Sequence, residues 1–290
     1  MIFDLLSLKI EPFYSLNQLN VKILDALRQF NHKEVIEYEI QVQSIITDNK
    51  KISITKKDET QANNFFIISL YFKMLLHYSA LWDAMRDKKY QETWFYIQDC
   101  NDILRLLKNF EHDYNNYNLI EIEYNLFEIE KLFPFTFFNS AEMICGKSTC
   151  SICRRDTSNP ECIHIPGELY WGKMAQQEMG DIKFNGIAIL RNPKDKRCAI
   201  TTVDGKEKLS EDNTKGLLLL ATKISSPYYK IRIIETKQKE PIFKFKDLKK
   251  DDPCPCQSGK KFYQCCSRKK RIGIPHMKIF FDDEFKIGHQ

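Results

Sequence analysis

Apolar residues recur every three or four positions through the first 135 residues. Tyr71, Met74, Leu75, Tyr78, Leu81, Trp82 and Met85 fall on one face of a 3.6-residue helix. Ile97, Cys100, Leu104, Leu107 and Phe110 repeat the pattern, and Ile122, Leu126 and Ile129 give a shorter third stripe. Residues 18–30 and 33–46 predict two earlier helices. Asp58 and Glu59 are start signals for the longest helix, and Pro134 ends the last one. The stripes read as core, not as a cofactor site. Cys100 sits on such a face and reads as inert packing.

After Phe135 the pattern changes. Residues 145–172 are rich in Cys, Gly, Pro and turn formers. Short β-like runs follow at Ile182–Leu190, Ala199–Val203 and Tyr228–Ile234, separated by Asn-Pro and Asp-Gly punctuation. Leu217–Leu220 is either a helix or a buried strand. The predicted architecture is α+β. It comprises a helical domain over 1–135, a central Cys/His unit over 136–236, a charged connector over 237–251, a cysteine module with a basic patch over 252–271, and a tail over 272–290. No repeat of fixed period is present.

Composition adds compartment and charge. Twenty Phe and 13 Tyr exclude a wholly disordered chain. No continuous apolar run reaches the ~18 residues of a membrane span, and Gly216–Ala221 is far too short. The N-terminus lacks the basic-then-apolar pattern of a secretion signal, so the expected compartment is the cytoplasm, where thiols stay reduced. Eight of the ten cysteines crowd into two groups, which in that setting read as metal ligands before disulfides. Residues 1–140 hold 15 Lys/Arg against 20 Asp/Glu, whereas residues 141–290 hold 29 against 19. A basic half attracts nucleic acid, a ribosome or an acidic protein, or is simply a solvated face.

The C-terminal group reads Asp252-Pro-Cys254-Pro-Cys256-Gln-Ser-Gly-Lys-Lys-Phe-Tyr-Gln-Cys265-Cys266. Four soft ligands at this spacing suit tetrahedral zinc. Pro253 and Pro255 stiffen the chain, Ser258-Gly259 turns it back, and Lys260 and Lys261 offset the thiolate charge. A vicinal Cys265–Cys266 disulfide would be strained. The segment resembles the SEC-C motif, the zinc module found at the C-terminus of the bacterial preprotein-translocase ATPase and in many smaller proteins. The resemblance rests on Asp252-Pro253-Cys254-Pro255-Cys256, Ser258-Gly259-Lys260-Lys261-Phe262 and Cys265-Cys266. The family usually has Gly where Gln257 stands, and often His in place of Cys266. The resemblance implies zinc-stabilised contact with a protein partner or the ribosome. It does not imply translocase activity, for which the chain has no room.

Cys150-x2-Cys153-x8-Cys162-x-His164 is a second ligand set. The first pair has zinc-knuckle spacing, and alternate positions on an extended strand turn Cys162 and His164 to one side. Cys145 is an alternative fourth ligand. Two zinc ions are therefore expected. The run from Cys150 through Gly167, Tyr170 and Gly172 is similar to a cassette in uncharacterised bacterial and phage-related proteins, which brings no activity with it.

Competing chemistry has weaker support. Ala141-x4-Gly146-Lys147-Ser148 fits a loose phosphate loop, but a cysteine knuckle follows where a helix is needed, so nucleotide is not expected. The knuckle with His164-Ile-Pro166 partly resembles an HNH nuclease finger. That chemistry needs further ligands, and His276 and His289 are isolated. His77 and His112 read as helix residues. No serine-nucleophile elbow or zinc-protease pair occurs. The expected function is a zinc-binding adaptor that docks to protein or ribosome, with nucleic acid as a possible partner and no membrane. Lys260, Lys261, Arg268, Lys269, Lys270 and Arg271 are the candidate contacts, and either Phe262 or Tyr263 packs on the zinc loop. The alternative is a metal-dependent nuclease or a toxin or defence component.

Overall fold

The computed structural model describes residues 2–111, 118–203 and 205–287. Among these residues six α-helices come first: α1 (Ile2–Leu6), α2 (Phe13–Arg28), α3 (His32–Thr55), α4 (Glu59–Arg86), α5 (Tyr90–Phe110) and α6 (Leu119–Glu130). Short strands follow: β1 (Phe138–Ile144), β2 (Ser148–Cys150), β3 (Leu169–Tyr170), β4 (Lys173–Met174), β5 (Gln177–Met179), β6 (Lys183–Leu190), β7 (Thr202–Val203) and β8 (Lys206–Glu207). Then come α7 (Glu211–Lys223), β9 (Tyr229–Pro241), α8 (Phe262–Cys265) and β10 (Arg271–Glu284). Of the described residues 45% are helical and 21% strand, which makes the fold α+β.

α4 is the axis of the helical region. Its N-cap is Asp58, whose carboxylate accepts the Gln61 N–H at 2.9 Å. All seven residues of its predicted stripe are buried, as are the stripes of α5 and α6 apart from half-buried Phe110. α4 is also long and apolar enough by composition to cross a membrane, with a mean hydropathy of 1.3 over its most apolar window. That corrects the sequence expectation: Asn63, Asn64, Ser69 and Lys73 interrupt any continuous run without lowering the average enough. Of that window, 72% is buried inside the fold, as the central helix of a core would be. Leu217–Leu220 resolves as helix: α7 packs Leu217, Leu220 and Ala221 inward beside α4.

Among the described residues the five sheets are all two-stranded and antiparallel. The longest ribbon joins β9 to β10, with Ile231 opposite Phe281 at one end and Pro241 opposite Arg271 at the other. Its first half is seated on α6. Asn125 donates to the Tyr229 carbonyl and accepts the Ile231 N–H, both at 2.8 Å, and Glu128 accepts the Ile233 N–H at 2.7 Å. These buried polar side chains take the place of a neighbouring strand. The expected connector and tail are corrected here: residues 237–241 complete β9, and residues 272–284 belong to β10. The cysteine module is thus the long loop of one hairpin.

The central unit is tied to the helices at two places. Trp171 and Gly172 both have positive φ, at 51° and 71°, and form the β3–β4 turn. The Gly172 N–H donates to Asn63 at 2.7 Å, and a Cβ there would lie 2.6 Å from the Ala62 carbonyl oxygen. Only glycine permits that approach. On the far side, Arg197 bridges Asp99 and Asp102, and the Trp94 indole donates to the Lys196 carbonyl at 2.8 Å.

Candidate metal centres

The C-terminal module is built from the chain on both sides of its cysteines. Cys254, Phe262, Cys266 and Ile272 are buried together, with Ile242, Phe245, Leu248 and Ile274 packed against them. Sequence reading missed the contribution of 242–248. The i, i+3 spacing of Ile242, Phe245 and Leu248 was present but lay among lysines. Of the two aromatics, Phe262 is the one that packs on the loop, while Tyr263 is 46% exposed. The Cys254 N–H bonds the Lys260 carbonyl, and the Phe262 N–H bonds the Asp252 carbonyl. These bonds close the turn that carries Cys254 and Cys256. α8 is a single turn that presents Cys265 and then Cys266.

All four sulfurs lie within 4.8 Å of one another. Cys254–Cys256, Cys256–Cys265 and Cys265–Cys266 are 3.3, 3.5 and 3.7 Å apart. A zinc tetrahedron with Zn–S of ~2.3 Å has edges of about 3.8 Å, whereas a disulfide needs ~2.05 Å. The donor set therefore fits a tetrahedral soft metal and not a cross-link; all ten cysteines are free. The Ser258 hydroxyl lies 3.1 Å from Cys265, and its hydrogen bond to Cys256 draws that thiol down to about 6. Burial pushes Cys254 up and Cys266 up to about 12. Metal capture here displaces protons.

The central cluster gathers Cys150, Cys153, Cys162 and His164, again with ligand atoms within 4.8 Å of one another. Cys153 and Cys162 are 3.6 Å apart. Backbone N–H groups of Cys153 and Ile152 point at the Cys150 sulfur and lower its pKa. Arg154, at φ 64°, turns the knuckle. His164 Nδ1 is buried without a hydrogen-bond partner. A buried imidazole with an unpartnered nitrogen, clustered with three sulfurs, suits a metal ligand. Cys145 is exposed and stands outside the group, so His164 is the fourth member. Tyr170, named in the sequence only as part of the cassette and with no role, braces this segment. Its ring meets His164 edge-on at 4.7 Å, and its hydroxyl accepts the Ile165 N–H at 2.9 Å.

The predicted contact residues Lys260, Lys261, Arg268, Lys269, Lys270 and Arg271 are all exposed on the C-terminal module. Lys261 is paired with Asp251 at 2.8 Å. Lys244, Lys246, Lys249 and Lys250 extend the same basic character. His276 lies in β10 and lines a cleft of about 550 Å³ with Cys256 and Gln257, outside either ligand group. His112 and His289 lie outside the described residues.

Residues 252–268 match the SEC-C motif family. The match spans all four C-terminal cysteines and characterises the module alone. Comparison with curated proteins and with solved structures returns no match. SEC-C is a zinc motif, so the chain carries a zinc-binding motif together with a second possible metal site.

Proposed function

We propose that the protein is a zinc-stabilised adaptor whose C-terminal module docks a macromolecular partner, a protein or a ribosome, through its basic face. Cys254, Cys256, Cys265 and Cys266 would hold one ion, and Cys150, Cys153, Cys162 and His164 a second. In each set four protein ligands complete the tetrahedron, so the metal's contribution is structural. The observation that carries the reading is the module's placement. It has its own small core, sits at the far end of the β9–β10 hairpin, and holds ten Lys/Arg against three Asp between Ile242 and Ile274. A charged unit on an extended arm is suited to reach a partner and to be steered toward an acidic surface. A nuclease would need an open coordination position beside His164, and the closed ligand set does not favour one.

Two measurements test this. Elemental analysis of reduced protein is expected to give about two zinc ions per chain, falling to about one in Cys254→Ser/Cys256→Ser. Co-sedimentation with purified ribosomes is expected for the wild type. It should be lost in Lys260→Glu/Arg268→Glu/Lys269→Glu/Lys270→Glu with zinc content unchanged. Absence of zinc would sink the metal reading. Ribosome binding that ignores the charge reversal would sink the basic docking face, and no binding to ribosomes would move the partner to protein, probed next with polyglutamate.

A further inference from the structure

A groove opens between α3 and α4. Along α3, Gln43, Ile46, Lys50 and Ile54 recur at three- and four-residue spacing, so they share one helix face. Phe65, Phe66 and Ser69 of α4 form the other wall, and the groove holds about 290 Å³. Ile46 and Phe65 are part of the helical core, with Phe66 packed against it.

Most polar side chains here already have partners. The Gln43 amide donates to Glu39 at 2.6 Å, the Ser69 hydroxyl donates to the Phe66 carbonyl at 2.7 Å, and Lys51 pairs with Asp48 at 3.5 Å. Lys50 differs. It is half-buried, and its ammonium lies 6.0 Å from the Phe66 ring centre. Its stem is held at the β3–β4 turn, where a Cβ on Gly172 would lie 2.4 Å from Lys50 Cε. No carboxylate pairs with Lys50 among the described residues. Glu59, at the start of α4, instead accepts the Trp171 N–H at 3.1 Å. The charge that acts on Lys50 is a second cation, Lys173 of β4; burial first, and then this repulsion, push the Lys50 pKa down. A half-buried cation beside another cation is costly until an anion neutralises it. An uncompensated charge in a mostly apolar groove, where two structural units meet, is the pattern of a ligand site.

We propose that this groove binds a small amphiphilic monocarboxylate, with its carboxylate on Lys50 beside Lys173 and its hydrocarbon body against Ile46, Ile54, Phe65 and Phe66. The volume sits at the lower end of small-molecule pockets, ~300–1,000 Å³, and so limits the ligand to a short body. A carboxylate is favoured over a phosphate by the walls. They lie within α3 and α4, whose amides are consumed by helical bonds, so no backbone cradle is available for a phosphate. This inference does not depend on the metal or on the docking partner.

Isothermal titration calorimetry of the full chain with octanoate tests it. Saturable binding of one octanoate per chain is expected. Lys50→Met keeps the stem and removes the charge, and should weaken binding by about tenfold or more. The same change should raise the melting temperature of the ligand-free protein, because it removes an uncompensated cation. A lysine that served only the fold would give the opposite sign. Lys173→Glu, at an exposed position, sets a carboxylate beside Lys50 and should also weaken octanoate, with the helical circular dichroism signal unchanged. Octanol lacks the charge and inorganic phosphate lacks the body, so each should bind about tenfold more weakly than octanoate or worse. Absence of saturable octanoate binding, equal binding by Lys50→Met, equal binding of phosphate, or a lowered melting temperature in Lys50→Met would each overturn the proposal.

Discussion

The helical region and the cysteine module solve the same problem by different means. The first buries Trp82, Tyr71, Tyr78, Phe65 and Phe72 below 2% exposure within one continuous core. The second buries four residues, and two of them are cysteines. Apolar burial at about 25 cal/mol per Å² can sustain the first, because many large side chains contribute. It cannot sustain the second. Units below about 40 residues usually need a metal, disulfides or a partner to fold. The comparison teaches why the module's ligands are packed so closely while its apolar residues are few: the metal set is its core.

The most severe way to break this comparison is to withdraw metal. Structural zinc contributes an apparent ~10–16 kcal/mol at neutral pH, far more than a four-residue core supplies. Treating the protein with a strong chelator is therefore expected to abolish hydrogen-exchange protection across 242–274. The main thermal transition, which reports the helices, should persist. Joint loss of both transitions would show that the helical core depends on the module, contrary to the separation of the two clusters.

Paired truncations sharpen the same point with smaller effects. Trp82→Ala should cost about 3–5 kcal/mol in the helical transition and leave metal content untouched. Ile272, fully buried in the module, should behave in the opposite manner. Ile272→Ala is expected to cost about 2–4 kcal/mol. Because metal binding and module folding are linked, this should be read as at least a tenfold drop in metal affinity, with the helical transition unmoved. Calorimetry and competition with a zinc indicator separate the two readouts.

Periodicity made the helices legible because each stripe is local: every partner lies within one or two turns. The cysteine clusters were legible for the same reason, since ligand spacing within ten or so residues limits what a metal can join. What escaped was set by contacts across long sequence distance. Asn125 and Glu128 look like polar interruptions of the α6 stripe, and their purpose becomes clear only when β9, more than 100 residues later, arrives with unpaired amides. The β9–β10 pairing was hidden because the loop that joins the two strands is itself a folded module. Ile242, Phe245 and Leu248 were masked by Lys244, Lys246, Lys249 and Lys250, so charge composition outweighed a real three-residue spacing. His164 was named from spacing, but the choice between it and Cys145 needed the fold.

The smallest expected effect concerns one backbone angle in the module. Gln257 has φ 54°, a left-handed conformation that a residue with a Cβ adopts at a cost of roughly 1 kcal/mol. SEC-C motifs usually place glycine there, and the exposed Gln257 side chain has no hydrogen-bond partner among the described residues that would offset the strain. Gln257→Gly is expected to relieve it and to stabilise the module by about 0.5 kcal/mol after the larger entropy loss of glycine is counted. Zinc affinity should rise by about twofold. Gly259 supplies the converse. Its φ is 75° and no atom lies within 4 Å of a Cβ built there, so Gly259→Ala isolates the backbone penalty and should weaken affinity by about fivefold. If Gln257→Gly instead lowers affinity, the side chain has a role that outweighs the strain. Its position in the cleft with Glu235, Lys237 and His276 would then mark that cleft, rather than the lysine face, as the place where the module meets its partner.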